Sequence, residues 1–487
     1  MSRLRRALKF TFAQEYGSQL LQFVSVVILS RLLTPAEIGT FSVAAAVLFL
    51  ASALRTYGVA QYIVRERELT GEKIRQATAV VFLMAWGLGT LIVVLAPLFA
   101  DFYGEPGLQR IFWLTAFGFV LTPFIAVPYA CLQREMQFDK TIRVRYCAAL
   151  TQVVVSIGLA YDGYGYMSLA WGVTVGACTE CIVVNIYRPS YAPWWPTFAG
   201  CRRIFAFGTY TGLTNVLERF SEGVPDLVLG RVTGMADVGV FSRGFGVVML
   251  FTRVVTLAVK PVILPHFSRA HQAGEGLSEI YLRAVQYQTA LAWPFFACFA
   301  VCTLPIVRIL YGDQWDSSVI LAQVLVVFGL AQAVYCYSNE ALVAVGWVKP
   351  LLATETSMFF LRMLCVFIGA VSGGTLGAAS GLAVAAAIEG TVRSCVVANA
   401  LGFDVLRWLR FVWASGAVAL TVAVVSKSTS QLALRYAPDN MWVQAVFVAG
   451  SGAMTWFAAL FVFRHPLYAE VVAAMAHIRR TALGQSG

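Results

Sequence analysis

The sequence predicts an all-α, polytopic membrane protein with 14 transmembrane helices. Three observations carry this. First, apolar residues are 59% of the 487-residue chain and charged residues only 13%, about half the ~25% of an ordinary globular protein, and mean hydropathy is +0.73. Second, residues 76–100, 111–133, 284–307, 317–339 and 440–463 contain no Asp, Glu, Lys or Arg. A helix rises ~1.5 Å per residue, so each block can cross a hydrocarbon core of ~30 Å. Third, segments such as 80–83, 91–95 and 443–450 are apolar without alternation. A barrel strand would alternate with period two, and in lipid the backbone must otherwise satisfy itself as helix.

Taken in order, the expected spans cover residues 12–33, 40–63, 77–100, 111–132, 146–162, 165–187, 206–229, 239–264, 285–308, 318–345, 352–372, 375–399, 409–426 and 441–463. Residues 1–9 are basic and precede an apolar run that lacks a small-residue cleavage site, so they read as the flank of an uncleaved first span. Pro123 and Pro128 are expected to break span 4, Pro261 and Pro265 to end span 8, and Pro294 to kink span 9, because proline removes a helix hydrogen bond.

Parity and charge set the orientation. Of the 36 Lys and Arg, 23 fall at the termini and in the segments after even-numbered spans, and six (Arg31, Arg110, Arg231, Arg308, Lys427, Arg435) in the alternate loops. Basic flanks mark the cytoplasmic side, so both termini are expected there. This topology accounts for the net charge of +11 without a nucleic-acid partner. Val471, Val472, Met475 and Ile478 opposite His477, Arg479 and Arg480 predict a short interfacial helix in the tail.

The chain repeats itself. Arg31-Leu-Leu-Thr-Pro-Ala36-Glu37-Ile38-Gly39-Thr-Phe41-Ser42 and Arg231-Val-Thr-Gly-Met-Ala236-Asp237-Val238-Gly239-Val-Phe241-Ser242 agree at five of 12 positions, 200 residues apart. Pro97, Tyr103, Gly104 and Glu105 are echoed by Pro305, Tyr311, Gly312 and Asp313. Six spans separate the copies, so the halves are parallel repeats. The expected organisation is an N-terminal six-helix bundle (1–200), a C-terminal six-helix bundle (201–405), helices 13 and 14 (406–464) and a cytoplasmic interfacial tail (465–487).

These motifs, with Leu54-Arg55-Thr56-Tyr57-Gly58-Val59-Ala60-Gln61-Tyr62, Arg65-Glu66-Arg67-Glu68-Leu69-Thr70, Asp226-Leu-Val-Leu229-Gly230-Arg231 and Gly163-Tyr164-Gly165-Tyr166-Met167-Ser168-Leu169, resemble the polysaccharide transporter branch of the MOP superfamily, the Wzx-type flippases. The resemblance covers the whole chain. It implies a MATE-like fold and translocation of an undecaprenyl-diphosphate-linked oligosaccharide from the cytoplasmic to the periplasmic leaflet of a bacterial inner membrane. The expected setting is exopolysaccharide, capsule or O-antigen (lipopolysaccharide) assembly, with a polysaccharide polymerase and chain-length regulator as partners.

Apart from Arg31, Arg308 and Arg410 at span edges, seven basic residues remain inside spans: Arg55, Arg219, Arg243, Arg253, Lys260, Arg362 and Arg393. A charge there must face a cavity or a partner. Arginine grips phosphate bidentately and stays ionised. Arg55 and Arg253, near equivalent repeat positions, are the leading candidates to hold the substrate diphosphate, followed by Arg219, Arg243 and Arg362. A structural partner for Arg55 on a neighbouring helix, Glu15 for example, is the competing explanation. Glu389 and Arg393 sit at i and i+4, which an intrahelical ion pair explains. Arg243 and Lys260 lie near span ends, where long side chains reach the interface.

Glu218, Glu222 and Asp226 form an acidic stripe beside Arg219. Three carboxylates on one face repel unless a cation, a proton or an arginine intervenes. Two uses stay open: ion coupling, with Glu15 as a further candidate, or neutralisation by Arg219 and Arg253. No cofactor or metal is expected. The sequence has no G-x-x-x-x-G-K-[ST] loop and no H-E-x-x-H. Of the ten cysteines, Cys178 and Cys181 have CxxC spacing but no second pair at ligand distance. The alternatives are a multidrug or lipid II exporter of the same superfamily, and an inner-membrane glycan polymerase. The polymerase would place a long periplasmic loop between spans, and none exceeds about 20 residues here.

Overall fold

A computed structural model describes residues 2–55, 58–66, 68–191, 195–199 and 221–473, with no strand among them. The elements are α1 (Ser2–Leu32), α2 (Pro35–Arg55), α3 (Val59–Arg65), α4 (Gly71–Tyr103), α5 (Pro106–Arg134), α6 (Phe138–Tyr161) and α7 (Tyr166–Ile186), followed by α8 (Met235–Gln272), α9 (Leu277–Val301), α10 (Thr303–Tyr311), α11 (Ser317–Tyr335), α12 (Ser338–Ala344), α13 (Val348–Leu401), α14 (Val405–Tyr436) and α15 (Met441–Val462). Residues 221–232 are also helical. Among the described residues nine helices are long and apolar enough to cross a membrane, or ten when the bent pair α9–α10 counts as one span.

The expected spans map onto these elements. The apolar part of α1, Gly17–Leu32, is a shorter segment. Residues 201–220, most of expected span 7 and the expected domain boundary, lie outside the described residues, as does the tail beyond 473. Expected spans 11 and 12 are one 54-residue element, α13, interrupted where Gly373 (φ −146°, ψ 21°) and Gly374 (φ 60°, ψ −141°) leave helical geometry. Only glycine takes the second of these conformations readily. The chain folds back on itself there. A Cβ added at Gly369 would lie 2.1 Å from the Gly377 carbonyl oxygen, and one at Gly377 would lie 2.0 Å from that of Gly369. The two arms of α13 therefore touch through their backbones.

The prolines act less severely than expected. Helix α5 runs unbroken through Pro123 and Pro128, and α8 continues past Pro261 and Pro265 to Gln272, so these two prolines do not end span 8. Inside an apolar span no water competes for the freed carbonyl, and neighbouring groups satisfy it. The true break lies between α9 and α10, which meet at 79° around Cys302 (φ −101°, ψ 20°). Beyond it Arg308 closes the turn by donating to both carboxylate oxygens of Asp316, at 2.8 and 2.5 Å.

The chain forms two compact units, Met1–Ser242 and Arg243–Gly487. In the first, α4 packs on α5, α6 on α7, α5 on α7 and α1 on α6. Its core lies around Ile63, Ile74, Val80 and Val127. In the second, α9 packs on α14, α11 on α13, α14 on α15 and α9 on α11. Outward-facing Leu91, Val94 and Leu98 on α4 are exposed. They share one apolar stripe, which in a multi-span protein faces lipid.

The repeated motif has a physical origin within the first unit. The Thr34 hydroxyl and the Glu37 carboxylate cap α2 reciprocally: Thr34 N donates to Glu37 Oε2 at 2.8 Å and Glu37 N to Thr34 Oγ1 at 3.4 Å. This is a capping box, with Pro35 at the first helical position. One turn on, Gly39 meets the start of α8. A Cβ at Gly39 would lie 1.7 Å from the Met235 carbonyl oxygen, and one at Gly239 would lie 2.0 Å from that of Pro35. Ser42 Oγ and Ser242 Oγ are 3.4 Å apart. The two copies of the motif thus pack on each other reciprocally, and each glycine makes room for its counterpart's backbone.

Candidate functional site

Two charged clusters lie inside spans, one in each unit. In the first unit Arg55 ends α2. Its guanidinium lies 5.9 Å from the ring centre of Phe119 on α5, and that ring is buried. Arg145 on α6 lies 5.3 Å from the ring centre of Tyr129, also on α5. Between them in charge is Glu180 on α7, half-buried, on which the cations Arg55 and Arg145 act, Arg55 more strongly. Helix packing explains the convergence. Helix α7 crosses α6 so closely that a Cβ at Gly172 would lie 1.8 Å from Ser156 Oγ, and one at Gly176 would lie 3.1 Å from Gln152 Cβ. Glu180 continues this face one turn further, toward the early turns of α6 that carry Arg145. Helices α2 and α5 also pack against α7. The result is two guanidiniums on aromatic faces of α5, with Glu180 within electrostatic reach of both.

The second unit holds a cluster of different character. The arms of α13 bring Arg362 opposite Glu389, with Nη2 2.7 Å from Oε2. Arg393 donates to Glu389 at 2.9 Å, to both oxygens of Glu355 at 2.9 and 2.8 Å, and to Asn339 Oδ1 at 2.6 Å. Asn339 Nδ2 in turn donates to Glu355 Oε1 at 2.9 Å. Arg393 also lies 5.3 Å from the ring centre of Tyr335. Glu389 and Arg393 are buried. Two arginines and two glutamates neutralise each other, and the i, i+4 pair expected from sequence is one edge of this network.

The other candidates fall as follows. Arg243 lies over Tyr311 and Trp315, at 5.8 and 5.7 Å from their ring centres, within an aromatic nest rather than at a span end reaching for the interface. Glu222 is exposed and Asp226 half-buried. Arg219 and Glu218 lie outside the described residues, as do the side chains of Glu15, Arg253 and Lys260. Sequence reasoning missed Glu180, Glu355 and Asn339. Glu180 had one visible signal: it is the single charged residue between 165 and 187, and an isolated carboxylate in a span needs a partner.

A third buried polar group sits beyond the last span. His465 accepts at Nδ1 from the Leu467 N–H at 3.2 Å, so Nε2 carries the proton and faces Ser415 Oγ at 3.3 Å. Ser415 donates to the Gln286 carbonyl at 3.3 Å. Burial pushes the His465 imidazole down to about 4, because desolvation disfavours the charged form.

Helices of this length and polarity, with charges held inside them, define a polytopic membrane protein, and comparison with solved structures gives its fold. The chain is similar to an inward closed lipid II flippase MurJ, with a TM-score of 0.76 at 14% identity, covering 96% of this chain and 100% of that one. It is similar also to an inward-facing multidrug resistance MATE family transporter of the MOP superfamily, with a TM-score of 0.64 at 16% identity, covering 79% and 94%. These likenesses establish a MOP-type fold. The family model described as "Polysaccharide biosynthesis protein" matches residues 28–320, and the chain belongs to that family. Among its relatives are the lipopolysaccharide biosynthesis protein WzxC of Escherichia coli K12, 21% identical over 417 residues and 83% of each chain, and the succinoglycan biosynthesis transport protein ExoT of Rhizobium meliloti, 25% identical over 303 residues, 61% of this chain and 60% of that one.

Proposed function

We propose that this protein is a flippase that carries undecaprenyl-diphosphate-linked oligosaccharide units across the bacterial inner membrane by alternating access, for assembly of an extracellular polysaccharide. The observation that carries the reading is the first-unit cluster: Arg55 and Arg145 lie on the rings of Phe119 and Tyr129 at the ends of α2 and α6 that adjoin the basic loops. By the positive-inside rule that end is cytoplasmic, the leaflet in which such lipids are made and from which the headgroup has to come. A diphosphate is the anion that a pair of arginines grips best, and Phe119 and Tyr129 support the two guanidiniums on their faces. The chemistry needed is binding and release, so the reading assigns no catalysis. Arg253, Arg219 and Arg243 are proposed as further substrate-binding residues. Membership of the polysaccharide biosynthesis family favours a glycan carrier over a drug exporter of the same fold. The termini are cytoplasmic, and a polymerase with its chain-length regulator takes the product on the far side.

The test is deletion of the gene followed by analysis of lipid-linked glycans. Accumulation of complete repeat units that face the cytoplasm supports the flippase. Normally distributed units with shortened polymer point to a polymerase and overturn it.

A further inference from the structure

A cavity of about 510 Å³ opens in the first unit at the start of α4, apart from both charge clusters. Gly71, Glu72 and Arg75 line it from the first turns of α4, and Ser190, Tyr191 and Thr197 from the segment after α7. The sequence builds it locally. Thr70 caps α4 by accepting from the Lys73 N–H at 3.3 Å, which fixes the entry of that helix. The Thr197 N–H donates to the Arg75 carbonyl at 3.1 Å, so the segment after α7 is tied onto α4. Gly71 keeps the space open: a Cβ added there would meet no atom within 4 Å.

The lining narrows the ligand. One guanidinium and one carboxylate balance in charge, which favours neither an anion nor a cation. Arg75 only donates, Glu72 only accepts, and the hydroxyls of Ser190, Tyr191 and Thr197 do both. That mixture suits a ligand whose own groups each donate and accept, which is the chemistry of a sugar. The exposed Tyr191 ring adds an apolar face for the C–H side of a pyranose, and the same segment exposes Trp195 and Phe198. A polyprenyl chain has no match in so polar a lining. The volume lies within the ~300–1,000 Å³ of small-ligand sites.

We propose that this cavity is a glycan subsite, which binds uncharged sugar residues of the lipid-linked oligosaccharide on the face from which the substrate loads. The proposal rests on the flippase reading and deepens it, because it assigns a place to the sugar part of the substrate, separate from the diphosphate. Both walls come from the basic class of loops, so on the proposed orientation the subsite is cytoplasmic. A carrier with such a subsite selects by the glycan and not by the lipid diphosphate alone.

The experiment uses the full chain in nanodiscs and two probes. One is the lipid-free oligosaccharide released by mild acid from the lipid-linked repeat unit of the same cells; the other is undecaprenyl diphosphate, which carries no sugar. Wild type, Arg75→Gln, Tyr191→Ala and Gly71→Gln are compared by binding and thermal melting. Arg75→Gln and Tyr191→Ala are each expected to weaken oligosaccharide binding by about tenfold. Gly71→Gln extends a side chain into the cavity from a helical position where glutamine is the better helix former, so it should weaken oligosaccharide binding without lowering the melting temperature. Undecaprenyl diphosphate binding should stay unchanged in all three variants. Unchanged oligosaccharide affinity in Gly71→Gln and Arg75→Gln overturns the subsite, and so does a parallel loss toward both probes. Wild type that binds undecaprenyl diphosphate but not the oligosaccharide overturns the subsite and leaves the flippase reading standing. Wild type that binds neither overturns both.

Discussion

The two charge clusters inside spans use the same residue types to different ends. In the second unit Arg362, Arg393, Glu355 and Glu389 close on each other, with Asn339 taking one of the remaining donors. In the first unit Arg55 and Arg145 lie on rings of α5, with Glu180 within electrostatic reach of both. Desolvated charges are costly unless paired and hydrogen-bonded. The charge-balanced cluster meets most of that cost by itself, with Arg362 Nε left without an acceptor, and therefore reads as architecture, a clamp between the arms of α13 and the Asn339 turn. The other sets two arginines against aromatic rings, where the substrate diphosphate is proposed to bind. Counting arginines inside spans does not separate these cases.

The comparison breaks most visibly at Glu389. Glu389→Gln strips the shared partner from two buried guanidiniums, and removing one member of a buried ion pair costs about 3–5 kcal/mol. The expected outcome is a large fall in melting temperature in detergent or a failure to accumulate folded protein. A melting point within a degree or two of wild type would mean that the cluster is not structural, and the distinction drawn here would collapse.

A steric control comes next. Gly239→Ala puts a methyl 2.0 Å from the Pro35 carbonyl oxygen and touches neither cluster. Overpacking of this kind costs about 1–3 kcal/mol, so the variant should melt lower than wild type while binding undecaprenyl diphosphate with unchanged affinity when folded. Changed affinity at low temperature would show that the motif crossing, and not only the charges, shapes the site.

Arg55→Gln is expected to invert this pattern. One charge-assisted hydrogen bond is worth about 1.5–3 kcal/mol, so translocation of a lipid-linked diphosphate should fall by about tenfold or more while the melting point barely moves. Arg55→Lys keeps charge but loses the fork and should recover only part of the rate. Equal losses of stability in Arg55→Gln and Glu389→Gln would make the two clusters alike.

What the sequence made legible follows the same division. Thr34-Pro35-Ala36-Glu37 and the repeated Gly39 and Gly239 stand out because local backbone geometry demands them: a helix cap and a crossing with no room for a side chain. Gly165 of another motif lies against the same cap, since a Cβ there would come within 2.3 Å of Glu37 Oε1. Such constraints act within a few residues or recur with the repeat, so they leave patterns. The spans were legible for a similar reason, because lipid imposes composition over each whole segment. The Glu180 cluster was not. Its members come from α2, α6 and α7, and nothing in the spacing of Arg55, Arg145 and Glu180 records that these helices meet. In the second unit the visible i, i+4 pair of Glu389 and Arg393 concealed the pairing across the α13 turn with Arg362 and Glu355. That turn depends on Gly373 and Gly374, and only its closure brings the four together.

The smallest effect concerns a buried polar group with no charge at all, and it marks the lower end of the comparison. His465 is held neutral by burial against Ser415, with its imidazole pushed down to about 4. In the unfolded chain it titrates near the ordinary ~6.5. The unfolded state therefore binds more protons than the folded one between these values, and stability rises with pH across that window. Its contribution is fully present above about 6.5 and is lost as pH falls toward 4. His465→Gln keeps a donor and an acceptor but cannot titrate, so melting temperature measured from pH 7.5 to pH 5 should fall less steeply in the variant than in wild type. If the slope survives in His465→Gln, the acid sensitivity of this unit arises elsewhere and the role given to His465 fails.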